Sequence, residues 1–197
     1  MIKVAIVGNI ASGKSQVEKI LFYLCYKVTD TDKINHDILN FDIETINEIK
    51  ETFVNDDILE NNTISREKLG KIVFSNKEKK EKLESILHKK IFERVEDFFN
   101  QNQNEKIVFV SIPLLFETNQ EKTFDKIIFI SADKELRLKR LIERNNYSKE
   151  YALTRINSQM DEVEKLKKSD FVIYNNSGLK ELELGIKDIL SNLEIHN

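Results

Sequence analysis

Runs of apolar residues closed by turn formers alternate along the chain with stretches whose apolar positions recur every three or four residues. Ile2-Lys3-Val4-Ala5-Ile6-Val7 is β-branched and mostly apolar, the pattern of a buried parallel strand. Gly8 stops it, and from Lys14 to Leu24 the residues Val17, Ile20, Leu21 and Leu24 take helical spacing. Tyr26–Thr29 predicts a second, short strand that ends at Asp30-Thr31-Asp32. Residues 33–105 are expected to be almost entirely helical, with the longest helix from about Lys77 to Phe99. Lys106–Ser111 predicts a third strand, closed by the single proline, Pro113. Lys126–Ile130 predicts a fourth and Phe171–Tyr174 a fifth, with helical patterns between them and a last helix over Leu179–Leu193.

Strands that alternate with helices require crossover connections and a parallel sheet, which makes the fold class α/β. The stretch between the second and third strands is too long for one crossover and reads as an inserted helical lobe. No internal repeat, no linker rich in Pro, Gly or Ser and no low-complexity tail interrupts the pattern. The Lys77–Glu84 run (KEKKEKLE) sets opposite charges three or four apart, the mark of a solvated helix face.

Composition narrows the class. A chain of 197 residues suits one α/β domain with a substantial core. With 40% hydrophobic and 33% charged residues it reads as globular and not disordered. A formal net charge of −3 argues against a general nucleic-acid binder, which leaves a basic footprint. Cys25 is the single cysteine, so no internal disulfide can form; it reads as a small buried hydrophobe in a reducing compartment. Met1 is followed by no signal-peptide pattern, and no apolar run approaches the ~20 residues that cross a bilayer. A cytoplasmic protein with no membrane partner is expected. Of six arginines, Arg137, Arg140, Arg144 and Arg155 cluster in one short stretch.

Gly8-Asn9-Ile10-Ala11-Ser12-Gly13-Lys14-Ser15 is the G-x-x-x-x-G-K-S pattern of a phosphate loop, placed directly after a strand and before a helix. Gly8 and Gly13 allow the backbone to curl so that successive N–H groups point at phosphate oxygens. The following helix adds its positive end. Lys14 supplies a point charge to the β- and γ-phosphates, and the Ser15 hydroxyl is a ligand for Mg²⁺. A GTPase is disfavoured: no glycine has Asp three residues before it, and the nearest N-K-x-D string is Asn76-Lys77-Glu78-Lys79. A motor or helicase ATPase needs more chain. A small-molecule kinase using ATP and Mg²⁺ remains.

At this point the sequence resembles the dephospho-coenzyme A kinases, over nearly the whole chain. The phosphate loop is joined by Val28-Thr29-Asp30-Thr31-Asp32, Leu87-His88, Pro113-Leu114-Leu115-Phe116-Glu117 and Arg140-x-x-x-Arg144. Arg155-Ile156-x-x-Gln159, Asp170-Phe171-Val172-Ile173 and Asn175-Asn176-Ser177-Gly178 complete the order. The resemblance implies phosphorylation of the ribose 3′-hydroxyl of dephospho-CoA, the last step of coenzyme A synthesis. It implies a P-loop kinase core with five parallel strands, strand three beside strand one. The core is expected over 1–32, 106–136 and 159–197, a helical acceptor lobe over about 33–105 and a lid over about 137–158. A nucleoside monophosphate kinase and a catalytically silent nucleotide-binding module are the alternatives.

The resemblance also assigns residues. Asp32 becomes the catalytic carboxylate that orients the acceptor hydroxyl, with Asp30 either a partner or the N-cap of the next helix. Two residues apart on an extended segment, the two carboxylates should point the same way. Nucleotide contacts run from Gly8 through Gln16, with Arg140 and Arg144 on one face of the lid helix and Asn175 or Asn176 at the adenine. The alternative for the arginines is an ordinary solvated helix beside Arg137 and Lys139. His88, Leu115 and Arg155 are implied at the acceptor. Three departures from the family pattern stand out: Ser111 where an acid is usual, Lys89 where proline usually follows the histidine, and a longer turn at 175–178. The first shifts weight for the metal's outer contacts onto Asp32 and Glu117. His36 and His196 carry no signal, no His/Cys group has metal-site spacing, and a monomer or weak homo-oligomer is expected.

Overall fold

The computed structural model describes residues 1–195, so His196 lies outside the described residues. In chain order the elements are β1 (Ile2–Gly8), α1 (Lys14–Tyr23), β2 (Lys27–Asp30), α2 (Thr31–Phe41) and α3 (Ile43–Thr52). There follow β3 (Leu59–Glu60), β4 (Thr63–Ile64), α4 (Arg66–Ser75), α5 (Lys77–Gln101), β5 (Ile107–Ser111) and β6 (Lys126–Ser131). The chain ends through α6 (Lys134–Asn145), α7 (Lys149–Asn157), α8 (Glu162–Lys167), β7 (Phe171–Tyr174) and α9 (Leu179–Ile195). The backbone divides into two compact units: Met1–Val28 with the chain from Asn102 onward, and Thr29–Gln101.

The larger unit is built on a five-stranded sheet in the order β2-β5-β1-β6-β7. β1 runs parallel to β5 and β6 on either side, and β6 parallel to β7. The third long strand in the chain, β5, thus lies beside the first, as expected. β1 is apolar on both faces because it sits between two neighbours and is covered above and below. Val17, Ile20 and Leu21 of α1 and Leu182, Ile186 and Leu190 of α9 bury themselves with Val4, Ile6, Phe109 and Ile128. α6 and α7 form a smaller cluster, Leu141, Ala152 and Ile156, against which Ile10 and Ala11 of the phosphate loop pack.

The smaller unit is helical apart from one feature that periodicity missed. β3 and β4 form an antiparallel hairpin, pairing Leu59 with Ile64 and Glu60 with Thr63. Asn61 and Asn62 turn it with φ of 48° and 63°, the two successive left-handed residues that a tight hairpin turn demands. Ile38, Ile49, Phe53, Ile58, Leu69, Leu83 and Leu87 make its core. The solvated reading of the Lys/Glu run holds for Lys77–Glu81 and Lys80–Glu84, each 3.7 Å apart on the exposed face of α5. Cys25 is a correction: it is exposed, at φ 65°, just beyond the end of α1. The left-handed step that ends the helix turns its side chain outward. No described helix is long and apolar enough to cross a membrane.

Candidate active site

The phosphate loop leaves β1 at Gly8 and enters α1 at Gly13. A side chain at Gly8 would put its Cβ 2.6 Å from Ser12 Oγ and 2.8 Å from the carbonyl of Ile130, so only glycine fits. Gly13 holds φ 103° and ψ 22°, and its missing Cβ leaves room for the amide of Asn175. Ala11 is left-handed as well, at φ 61°. Inside the loop Ser12 N–H donates to the Asn9 carbonyl at 3.0 Å. Among the described residues, the N–H groups of Ala11, Gly13 and Ser15 take no hydrogen bond, and the buried Ser12 Oγ has no partner. Unpaired donors around a curled backbone at a helix N-terminus make a cradle for anionic oxygens.

The outside of the loop is tied to the helices that follow β6. Ile10 N–H donates to Gln159 Oε1 at 2.8 Å, and Asn9 Nδ2 donates to Glu162 Oε2 at 2.9 Å. Asn175 Nδ2 donates to the Ser12 carbonyl at 2.8 Å. Arg140 reaches the Asn175 carbonyl at 3.0 Å, with longer contacts of 3.4 Å and 3.5 Å to the carbonyls of Ser12 and Ala11.

Residues 2–181 match the dephospho-CoA kinase family. The chain belongs to the dephospho-CoA kinase family. A protein of Listeria innocua named dephospho-CoA kinase is 40% identical over 195 residues, 97% of this chain and 95% of the relative. One of Fusobacterium nucleatum with the same name is 41% identical over 179 residues, 91% and 92% of the two chains. The dephospho-CoA kinase of Campylobacter jejuni superposes with a TM-score of 0.73 at 36% identity, covering 97% and 96% of the two chains. A shikimate kinase of Acinetobacter baumannii, at 16% identity, 98% and 94% coverage and a TM-score of 0.51, shares the fold alone.

Within this dephospho-CoA kinase fold the structure redistributes several expected roles. Asp30 is the N-cap of α2, its Oδ1 accepting from Asp32 N–H at 2.8 Å. Asp32 therefore lies in the first helical turn, where negative charge is favoured. The expectation that the two carboxylates share one side of an extended segment fails, because the backbone turns helical between them. Leu115, expected at the acceptor, is 0% exposed and belongs to the core. Ile10 N–H is committed to Gln159 and is not among the cradle donors. Of the two asparagines expected at the adenine, Asn175 donates one amide N–H to the loop at 2.8 Å, and the exposed Asn176 pairs twice with Asp133, at 2.8 Å and 2.9 Å.

Arg140 and Arg144 both lie on α6, but only Arg140 meets the loop; the exposed Arg144 donates to Asn145 Oδ1 at 2.8 Å. Arg155 is exposed on α7, His88 half-buried on α5, and Gln16 exposed in the first turn of α1. Arg137, read as part of a solvated face, is 6% exposed and donates through Nε to the Ala132 carbonyl at 3.0 Å. Burial pushes its guanidinium pKa down, and the nearby Glu162 charge opposes that. Glu117 pairs with the buried Lys165 at 2.9 Å, and Ser111 is buried at the end of β5. Sequence reasoning missed Glu162 and the burial of Lys165; a polar residue amid a helical repeat carries no local sign of its partner.

Proposed function

We propose that this chain transfers the γ-phosphoryl of ATP to the ribose 3′-hydroxyl of dephospho-CoA, the last step of coenzyme A synthesis, in the cytoplasm. The observation that carries the reading is the phosphate loop, with its unpaired Ala11, Gly13 and Ser15 N–H groups, in a member of this kinase family. The acceptor oxygen attacks the γ-phosphorus, the bond from that phosphorus to the β-γ bridging oxygen breaks, and ADP leaves. The acceptor proton passes to a carboxylate and then to solvent.

Lys14 draws charge off the β- and γ-phosphate oxygens, and the loop N–H groups hold them. Asp32 is the carboxylate assigned to orient the acceptor hydroxyl and take its proton late in the transfer, since a loose transition state asks more for positioning than for base strength. Arg140 has two long contacts among its three, so part of its guanidinium can exchange a loop carbonyl for a phosphoryl oxygen. Arg144 and Arg155 are assigned to the lid, and His88 and Arg155 to the acceptor. We assign the Thr29–Gln101 unit to acceptor binding and α6–α7 to the lid.

No group of three or more His, Cys, Asp or Glu suited to a metal occurs among the described residues. A hydroxyl oxygen in the first turn of α1 is a hard donor of the kind that suits Mg²⁺, which keeps waters and substrate phosphates as its other ligands. Ser15 is the residue that would hold it, and the ion would neutralise charge on the β- and γ-phosphates.

The deciding experiment is a coupled ADP-release assay. Dephospho-CoA should stimulate turnover far more than AMP, CMP, UMP or dTMP. Stimulation by a monophosphate alone overturns the acceptor and leaves the kinase fold standing.

A further inference from the structure

Glu162 stands in the first turn of α8 with both carboxylate oxygens engaged. Oε1 accepts from Ser131 Oγ at 2.5 Å; Oε2 accepts from Asn9 Nδ2 at 2.9 Å and lies 3.4 Å from an Arg137 terminal nitrogen. The three donors come from three segments: the phosphate loop, the end of β6, and α6. Three residues earlier, Gln159 takes the Ile10 N–H. Two consecutive loop residues are therefore gripped from one short stretch, Asn9 by its side chain and Ile10 by its main chain.

The loop needs that grip. Its one internal main-chain bond is Ser12 N–H to the Asn9 carbonyl, yet Ala11 must be kept left-handed, a conformation that residues with a Cβ disfavour. Contacts from outside must supply what the local backbone does not. Asn9 is 4% exposed, so water does not replace a lost partner for its amide, and a carboxylate is a strong acceptor for it. Ser131 and the buried Arg137 fix the carboxylate in turn.

We propose that Glu162 is a positioning residue for phosphoryl transfer, which holds Asn9 and with it the first half of the phosphate loop in the shape that receives a nucleotide. It acts through the loop. The inference rests on the phosphate-cradle reading given under Proposed function, and it explains why a carboxylate is tolerated beside an anion site: its charge is taken up by Arg137 and two neutral donors.

The test is nucleotide binding, measured as calorimetric dissociation constants for ADP with the full chain. Asn9→Ala removes only the loop's share and leaves Glu162, Arg137 and Ser131 together; Glu162→Gln keeps the volume and one acceptor. Each should weaken ADP binding roughly tenfold, the scale of one charge-assisted hydrogen bond. The double variant should be no more than about twofold weaker than Glu162→Gln alone, because both changes act on the same link, Glu162→Gln by removing the charge that makes the acceptor strong. In turnover, the KM for ATP should rise while that for dephospho-CoA stays put. If Glu162→Gln does not fold, Asn9→Ala decides alone. Wild-type affinity in Asn9→Ala, or two losses that simply multiply, overturns the proposal. Failure of the unaltered chain to bind ADP would instead overturn the phosphate-loop reading on which it rests.

Discussion

Gly13→Ala tests the loop geometry most directly. Gly13 sits at φ 103°, ψ 22°, well beyond the left-handed minimum near +57° that other residues visit with difficulty. The backbone cost for alanine is about 1–2 kcal/mol and belongs at the upper end. The added methyl also collides with Asn175 Nδ2, which donates to the Ser12 carbonyl at 2.8 Å. Asn175 is 6% exposed and cannot step aside into water. Displacing it breaks that bond and leaves a buried group unsatisfied, at roughly 1–3 kcal/mol. The two effects together predict a loss of about 2–5 kcal/mol. Urea unfolding of Gly13→Ala, Asn175→Ala and the double variant measures it. Asn175→Ala removes the collision, so the double variant should be more stable than the sum of the single losses by roughly 1–3 kcal/mol. Nucleotide affinity should fall with Gly13→Ala even at temperatures where the chain stays folded. A Gly13→Ala variant within about 0.5 kcal/mol of the original, the range of an ordinary surface change, would refute the argument.

Asp32→Asn should lower kcat by ~10²–10⁴ while calorimetric ATP binding weakens only modestly. Its stability loss should stay within about 0.3–1 kcal/mol, the value of one charge at a helix N-terminus, and full turnover would remove Asp32 from the chemistry. Asp42 supplies a pH dependence. Burial alone would raise its pKa, but the Thr45 N–H and hydroxyl, Arg94 and the Lys90 charge outweigh burial and hold it below the usual value. A lowered carboxylate pKa stabilises the folded chain above the unfolded value of ~3.9 and loses that contribution as pH falls through the folded one. Asp42→Asn keeps the cap of α3 and removes the charge, so its denaturation midpoint should fall less than that of the original chain between pH 6 and acid. Parallel pH profiles would refute the linkage.

Residues 1–15 take their structure from local residue chemistry. A β-branched run, two glycines six residues from one end of the loop to the other, and Lys14-Ser15 specify strand, turn and helix start through backbone demands that each residue type meets locally. The alternation of later apolar runs, Ile107–Ser111, Lys126–Ser131 and Phe171–Tyr174, made the parallel sheet legible for the same reason. The Asn61-Asn62 hairpin escaped because two-residue strands are too short to show a period. Arg137 escaped because an arginine on a helix looks solvated until a carboxylate from another segment covers it. Long-range packing alone sets the links that hold the loop: Asn9 to Glu162, 153 positions apart, Ile10 to Gln159, 149 apart, and Ser12 to Asn175, 163 apart. Residue types reveal what a backbone can do nearby; which buried donor meets which acceptor depends on how β6, α6, α8 and β7 pack around the loop.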